Sequence, residues 1–154
     1  MKLKVGLVTL LVAIPAFLLA PTAPLGHTIW PAPVALASPP TSTQVSFFML
    51  LGACEALALG LGAAFLIFGW PLVRQVAAAG RGRALASYLS IGWLLANWWL
   101  HDGFHMVNGL HPGGLLGIEY AFHVTLIVAG AALAYSFGTM AAEGSPAAAT
   151  AAGR

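Results

Sequence analysis

Residues 45–70, VSFFMLLGACEALALGLGAAFLIFGW, decide the fold class of this chain. The stretch is apolar throughout apart from Glu55, and it shows none of the strict alternation that marks a barrel strand. It is longer than the ~20 residues that a helix needs to cross the hydrocarbon of a bilayer. Because backbone groups in lipid must be satisfied within the segment, the stretch predicts a transmembrane α-helix.

The composition of the whole chain agrees with this interpretation. Of 154 residues, 60% are hydrophobic and 6% are charged, whereas about 25% of an ordinary globular domain is charged. So few charged side chains cannot cover the surface of a water-soluble domain. We therefore predict an all-α integral membrane protein, a small antiparallel bundle of three to four transmembrane helices, whose partner is the lipid bilayer.

The chain divides into four predicted parts. Residues 1–20 start with two lysines and continue as an apolar stretch, which is typical of a signal peptide or of an uncleaved N-terminal anchor. Prolines close to the nearest cleavage sites favour the anchor. The other parts are a proline-rich extracytoplasmic linker at 21–43, a three-span helical membrane domain at 44–140 with spans at about 45–70, 84–108 and 115–140, and a disordered cytoplasmic tail at 141–154.

The basic residues predict the orientation. With the N-terminus in the cytoplasm, every lysine and arginine falls on the cytoplasmic side: Lys2, Lys4, Arg74, Arg81, Arg83 and Arg154. The two outer loops contain none, which is the asymmetry described by the positive-inside rule. We expect a multi-pass protein of the plasma (cytoplasmic) membrane with both termini in the cytoplasm, if the first segment is uncleaved.

Small residues recur every four positions on two of the predicted spans. The two ladders are Gly52, Ala56 and Gly60 on the second span, and Gly130, Ala134 and Gly138 on the fourth. Small residues at this spacing let helix backbones approach closely in lipid. They predict helix–helix seams within the chain, in a homo-oligomer or in a larger membrane complex.

Histidines and a carboxylate are paired at helical spacing near the outer ends of two spans. His101 and His105 are four residues apart, as are Glu119 and His123, so each pair shares a helix face. The turn between these spans is short, which makes them antiparallel neighbours and brings the two pairs to similar depth. Three imidazoles and one carboxylate predict a first shell for zinc, copper, iron or manganese.

Further polar residues surround this predicted metal site. Candidates for its second shell or for proton handling are Asp102, Glu55, Asn97, Asn108 and His111, whereas His27 in the linker is expected to be free. A b-type haem held by His105 and His123 is the alternative cofactor, and it is less favoured because it needs a wide gap between helices.

Three functional interpretations follow from the sequence. The first is a metal-binding membrane protein for redox chemistry, metal handling or metal-assisted chemistry at the outer face. The second is an accessory or assembly subunit whose polar residues only specify helix packing, and the third is proton handling without a metal. Nucleotide and nucleic-acid binding are not expected, because the chain has neither a glycine-rich nucleotide motif nor a basic patch. The sequence does not decide whether the protein is an enzyme.

Overall fold

The structure, a computed structural model, describes residues 2–35, 40–76 and 80–143. Of these residues 84% are helical and none lies in a strand, which confirms the all-helical prediction. The elements are α1 (Lys2–Leu18), a 3-10 turn (Gly26–Thr28), α2 (Ser42–Phe68), α3 (Trp70–Val76), α4 (Arg81–Asn108), α5 (Pro112–Ile118), a π-helical segment (Glu119–Val124) and α6 (Thr125–Glu143). The last three elements run on without a break, and together they are called the C-terminal helix.

The helix ends lie within a few residues of the predicted spans. A capping box between Thr41 and Gln44 starts α2 three residues before the predicted position, because both side chains satisfy free backbone N–H groups there. The predicted span at 84–108 is α4, which begins earlier, at Arg81. The predicted span at 115–140 lies within the C-terminal helix. Of the predicted tail, residues 144–154 lie outside the described residues.

The long helices pack in chain order, α1 on α2, α2 on α4 and α4 on the C-terminal helix. The contact between α1 and α2 is built from small residues. Ala13 and Ala16 of α1 are buried against Ala56 of α2, and a side chain at Gly60 would overlap the backbone carbonyl of Thr9. The ladder at Ala56 and Gly60 is therefore a close helix–helix seam within the chain.

The second ladder has a different environment. Gly130, Ala134 and Gly138 are exposed, and a Cβ added at either glycine would meet open space. Gly52, at the start of the first ladder, also has no neighbour within 4 Å of an added Cβ. The C-terminal ladder therefore takes no part in the packing of the described residues.

The distribution of apolar residues is the reverse of that in a water-soluble domain. Among the described residues, the buried apolar side chains are six alanines together with Ile118 and Phe122. Large apolar side chains instead cover the outside, with Leu50 60% exposed and Ile127 71% exposed. Two helical stretches, Ser42–Phe68 and Pro112–Ala141, are long and apolar enough to cross a membrane, judged by length and composition alone.

The proline-rich linker after α1 is partly folded onto α4. The Trp30 ring lies edge-on to Trp99 and Phe104, with ring centroids 5.6 and 5.4 Å apart. A Cβ on Gly103 would lie 2.8 Å from the Trp30 ring, so glycine makes room for the indole. The Val34 N–H also donates to a backbone carbonyl of α4 at 2.9 Å.

The bundle has two chemically different ends. Basic residues lie where α1 and α4 begin and where α2 ends; this basic end carries Lys2, Lys4, Arg74, Arg81 and Arg83. The opposite end, where α4 ends and the C-terminal helix begins, carries His101, His105, Glu119 and His123 and is called the histidine end. The fold therefore separates the arginines and lysines from the candidate site.

Candidate functional site

Two imidazole rings meet between α4 and the C-terminal helix. Nε2 of His101 lies 3.1 Å from Nε2 of His123, and the ring centroids are 4.9 Å apart. His101 is buried, whereas the His123 side chain is 44% exposed. These two residues are called the histidine pair, and the pair connects the interior of the bundle to its outer surface.

A carboxylate holds the other nitrogen of each ring. Nδ1 of His101 is 2.8 Å from Oδ1 of Asp102, and Nδ1 of His123 is hydrogen-bonded to Oε2 of Glu119. An ionised carboxylate can only accept a hydrogen bond, so when both carboxylates are ionised each ring carries its hydrogen on Nδ1. Both Nε2 atoms then present lone pairs to each other. At this distance the lone pairs repel unless they share a cation.

A third helix contributes to the same set of contacts. The Glu55 side chain of α2 lies close to the Asp102 side chain of α4. The side chains joined by ring-nitrogen contacts, called the polar chain, run in the order Asp102, His101, His123, Glu119. Glu55 lies beside the Asp102 end of this chain.

Local helix geometry explains the position of His123. Glu119 and His123 lie in the π-helical segment, which is wider than an α-helix and rare in proteins. Such segments insert a residue into a helix and change the direction of the side chains that follow, often at functional sites. The segment also buries Phe122, whose ring centroid lies 5.5 Å from that of His101.

The structure brings the four predicted metal ligands to one end of the bundle, in unequal positions. The His105 ring stands edge-on to His101, with centroids 4.6 Å apart, and Glu119 contacts Nδ1 of His123 rather than the space between the Nε2 atoms. Within residues 2–35, 40–76 and 80–143, no group of three or more His, Cys, Asp or Glu side chains is arranged to hold a metal ion. Metal ligation by His101, His105, Glu119 and His123 therefore stays a prediction.

The remaining candidates lie at different distances from the histidine pair. Asn97 is fully buried on α4, one helical turn from His101. The Asn108 amide donates to the carbonyls of Gly109 and His111, both at 3.2 Å, and so supports the turn after α4. His111 is exposed at the start of α5, and His27 is exposed in the 3-10 turn, as expected of a residue outside the site.

Two features of the bundle were not predicted from the sequence. Trp30 packs beside the histidine end, and Ser87 of α4 donates to Ser136 of α6 at 2.9 Å, with both serines buried. The sequence did contain a sign of the serine contact, because polar residues recur at helical intervals along α4, at Ser87, Ser90, Asn97 and His101.

The chain matches no protein-family model, and no curated protein or solved structure matches it.

Proposed function

We propose that this chain is a multi-span membrane protein of the plasma membrane that binds and transfers a proton at the extracytoplasmic end of its bundle. The membrane part of the proposal is supported by the packing. Small residues lie between the helices, and large apolar residues face outward. This arrangement suits a lipid environment, because burying a large apolar side chain between helices gives no hydrophobic gain when the surroundings are lipid. In this proposal α1, α2, α4 and the C-terminal helix all cross the bilayer.

The orientation follows from the two ends of the bundle. The basic end faces the cytoplasm, since lysine and arginine are retained on that side. The histidine end then faces outward, and the start of α1 and the end of the C-terminal helix both lie on the cytoplasmic side. The proton site is consequently open to the extracytoplasmic medium through His123 and Glu119, which are the more exposed members of the polar chain.

The observation that carries the functional proposal is the contact between the two Nε2 atoms. Their separation of 3.1 Å falls in the range of about 2.7–3.2 Å for hydrogen bonds from N–H groups. With both Nδ1 atoms bonded to carboxylates, one extra proton between the rings turns a repulsive contact into a charge-assisted hydrogen bond. Asp102 and Glu119 stabilise the positive charge that this proton brings.

A metal ion is less well supported than a proton. A tetrahedral zinc with bonds of ~2.05 Å holds two nitrogens about 3.3 Å apart, which is close to the observed separation. Such an ion needs further protein ligands to be held firmly, and the described residues do not supply a third. The proton needs no ligand beyond the two nitrogens. Binding of zinc, copper, iron or manganese at this site is therefore the alternative that the experiment below must distinguish from proton binding.

The proposal is tested on protein purified in detergent with ¹⁵N-labelled histidine. Nitrogen NMR should show Nδ1–H hydrogen-bonded to carboxylate in both rings and one proton exchanging between the two Nε2 atoms. His123→Gln should abolish the shared-proton signal, because the amide cannot be protonated. His27→Gln is the matched control, since His27 is exposed outside the polar chain.

Elemental analysis of the same sample distinguishes a bound metal ion from a bound proton. We expect no transition metal in stoichiometric amount and an unchanged NMR signal after treatment with a chelator. One bound metal ion per chain that is lost in His123→Gln would contradict the proton site and would support the metal site predicted from the sequence.

A second candidate function, that of an accessory subunit, is favoured by the exposed ladder on the C-terminal helix. Gly130, Ala134 and Gly138 leave a flat strip that the described residues do not cover, and such strips pair helices in lipid. Replacing the two glycines of this ladder is the direct test: Gly130→Leu with Gly138→Leu should dissociate a homo-oligomer or a co-purifying partner. An unchanged molecular mass by native mass spectrometry would remove this candidate.

A further inference from the structure

Polar contacts connect α4 to the C-terminal helix along the whole length of their interface. The hydrogen bonds that join the two include Arg83 to Thr139 (2.7 Å), Ser87 to Ser136 (2.9 Å) and Trp93 to Thr125 (3.0 Å), and the rings of His101 and His123 meet at 3.1 Å. The two helices run antiparallel, so these contacts follow one another in order from the basic end to the histidine end. This row of residues is called the polar seam.

The α4 side of the seam continues between these contacts. Ser90 and Asn97 are also buried, and both lie at helical spacing from His101, so that they share its face. From Arg83 to His101 the helix axis rises about 27 Å at ~1.5 Å per residue. The hydrocarbon core of a bilayer is ~30 Å thick. The seam therefore extends over the depth of a membrane.

Asn97 gives independent evidence for an occupant of the seam. Its side-chain N–H groups donate to the carbonyls of Trp93 and Leu94 at 2.7 and 3.3 Å, yet its carbonyl oxygen is buried with no hydrogen-bond partner among the described residues. The residue is 0% exposed. A buried acceptor without a partner is unfavourable, and a water molecule is the usual partner of such a group in proteins. The acceptor lies one helical turn from the histidine pair.

We propose that the polar seam holds a chain of water molecules that carries protons between the histidine pair and the basic end, so that the protein conducts protons across the membrane. The proposal rests on the proton site proposed above and extends it. A proton enters at Glu119 and His123 and is taken up at Nε2 of His101. When the contact between the two rings opens, this N–H bond breaks and the proton passes to a water molecule that is hydrogen-bonded to the Asn97 oxygen. Only N–H and O–H bonds break and form, one proton leaves for each that enters, and no redox partner is needed.

The side chains along the seam suit this transfer. The hydroxyl groups of Ser90, Ser87 and Ser136 can each donate and accept a hydrogen bond, so they can hold water in line without binding a proton permanently. Apolar residues at these positions would leave water without partners and interrupt the chain. If the serines served only to pair the two helices, the buried Asn97 oxygen would still lack a hydrogen-bond partner among the described residues.

The test uses the full chain reconstituted in liposomes that contain a pH-sensitive dye. A potassium gradient with valinomycin sets a membrane potential, and internal pH reports proton entry. We expect the initial flux of the wild type to exceed that of protein-free liposomes. Asn97→Leu and Ser90→Val should each lower this flux to near the protein-free level, because each removes a polar partner of water from the seam.

Ser46→Val is the matched control for Ser90→Val, since Ser46 is exposed on α2 away from the seam. Its flux should equal that of the wild type. If Asn97→Leu fails to fold, Ser90→Val still tests the path. The nitrogen NMR signal of the histidine pair is recorded for every variant and should persist in both seam variants.

The two proposals fail in different ways. A wild type with the shared-proton signal but no flux would overturn the path and leave the proton site in place. Flux that survives both Asn97→Leu and Ser90→Val would also overturn the path. A wild type without the shared-proton signal would overturn the proton site itself.

Discussion

At the scale of single residues, the contact between Asp102 and Nδ1 of His101 allows a test of which ring nitrogen carries hydrogen. A carboxylate at Nδ1 keeps the lone pair on Nε2, where it faces the lone pair of His123. An amide at the same position can donate to Nδ1 instead. His101 would then carry its hydrogen on Nε2 and satisfy His123 directly, with no additional proton.

We therefore predict that Asp102→Asn abolishes the shared proton while both rings stay in contact. Nitrogen NMR should show a neutral His101 with Nε2–H in place of the exchanging proton. His111→Gln serves as the control, because His111 is exposed at the start of α5, and its spectrum should match that of the wild type. Retention of the exchanging proton in Asp102→Asn would contradict the assigned hydrogen positions.

Substitution of Glu55 distinguishes a residue that only supports the site from one that itself takes up and releases the transported proton. Glu55 lies close to Asp102, and a glutamine amide at this position can donate a hydrogen bond to a carboxylate but cannot bind or release a proton there. Glu55→Gln should therefore leave proton flux close to that of the wild type. The measurement is the liposome assay. A loss of flux in this variant would show that Glu55 itself takes up and releases the transported proton.

At the scale of helices, the seam between α1 and α2 brings two helix backbones into direct contact. Gly60→Ala should destabilise the protein by about 1–3 kcal/mol, because the new methyl group overlaps the Thr9 carbonyl and forces the helices apart. Thermal unfolding in detergent, followed by circular dichroism, measures the loss. Gly52→Ala, in open space on the same helix, should change stability little. Equal effects of both substitutions would argue against α1 packing on this face.

The sequence predicted the long helices because each is a long apolar stretch without the alternation of a strand. The predicted segments at 45–70, 84–108 and 115–140 each begin and end within three residues of a helix bound in the structure. His101 and His123 are at similar distances from the short turn between their helices, and this spacing predicted that they lie at the same depth in the bundle. These features depend on local sequence and on helix periodicity alone.

Other features depend on contacts that helix periodicity does not specify. Glu119 contacts Nδ1 of His123, four residues along the helix, and therefore does not reach the space between the two Nε2 atoms, where the sequence predicted a metal ligand. Trp30 and Gly103 are separated in the chain by the whole of α2, so only tertiary packing brings them together. A single serine such as Ser87 also fits a helix interior without any partner.

For the whole molecule, the separation of the basic end from the histidine end has a direct consequence for topology. Reporter fusions after Gly82 should be cytoplasmic, and fusions after His111 should be extracytoplasmic, because the positive-inside rule places the arginines near the start of α4 in the cytoplasm. An alkaline phosphatase and a fluorescent protein reporter, which are active on opposite sides of the membrane, make the measurement at each point.

The same fusions test the direction of the proposed proton path. If both reporters give the expected result, the exposed Glu119 and His123 meet the external medium and Arg83 lies at the cytoplasmic exit. Replacing Arg81 and Arg83 by glutamine should weaken the preference for one orientation and give a mixed topology, because positive charge next to a membrane span keeps that end of the span in the cytoplasm. An inverted result for the unaltered chain would place the histidine pair in the cytoplasm and reverse the direction in which protons reach it.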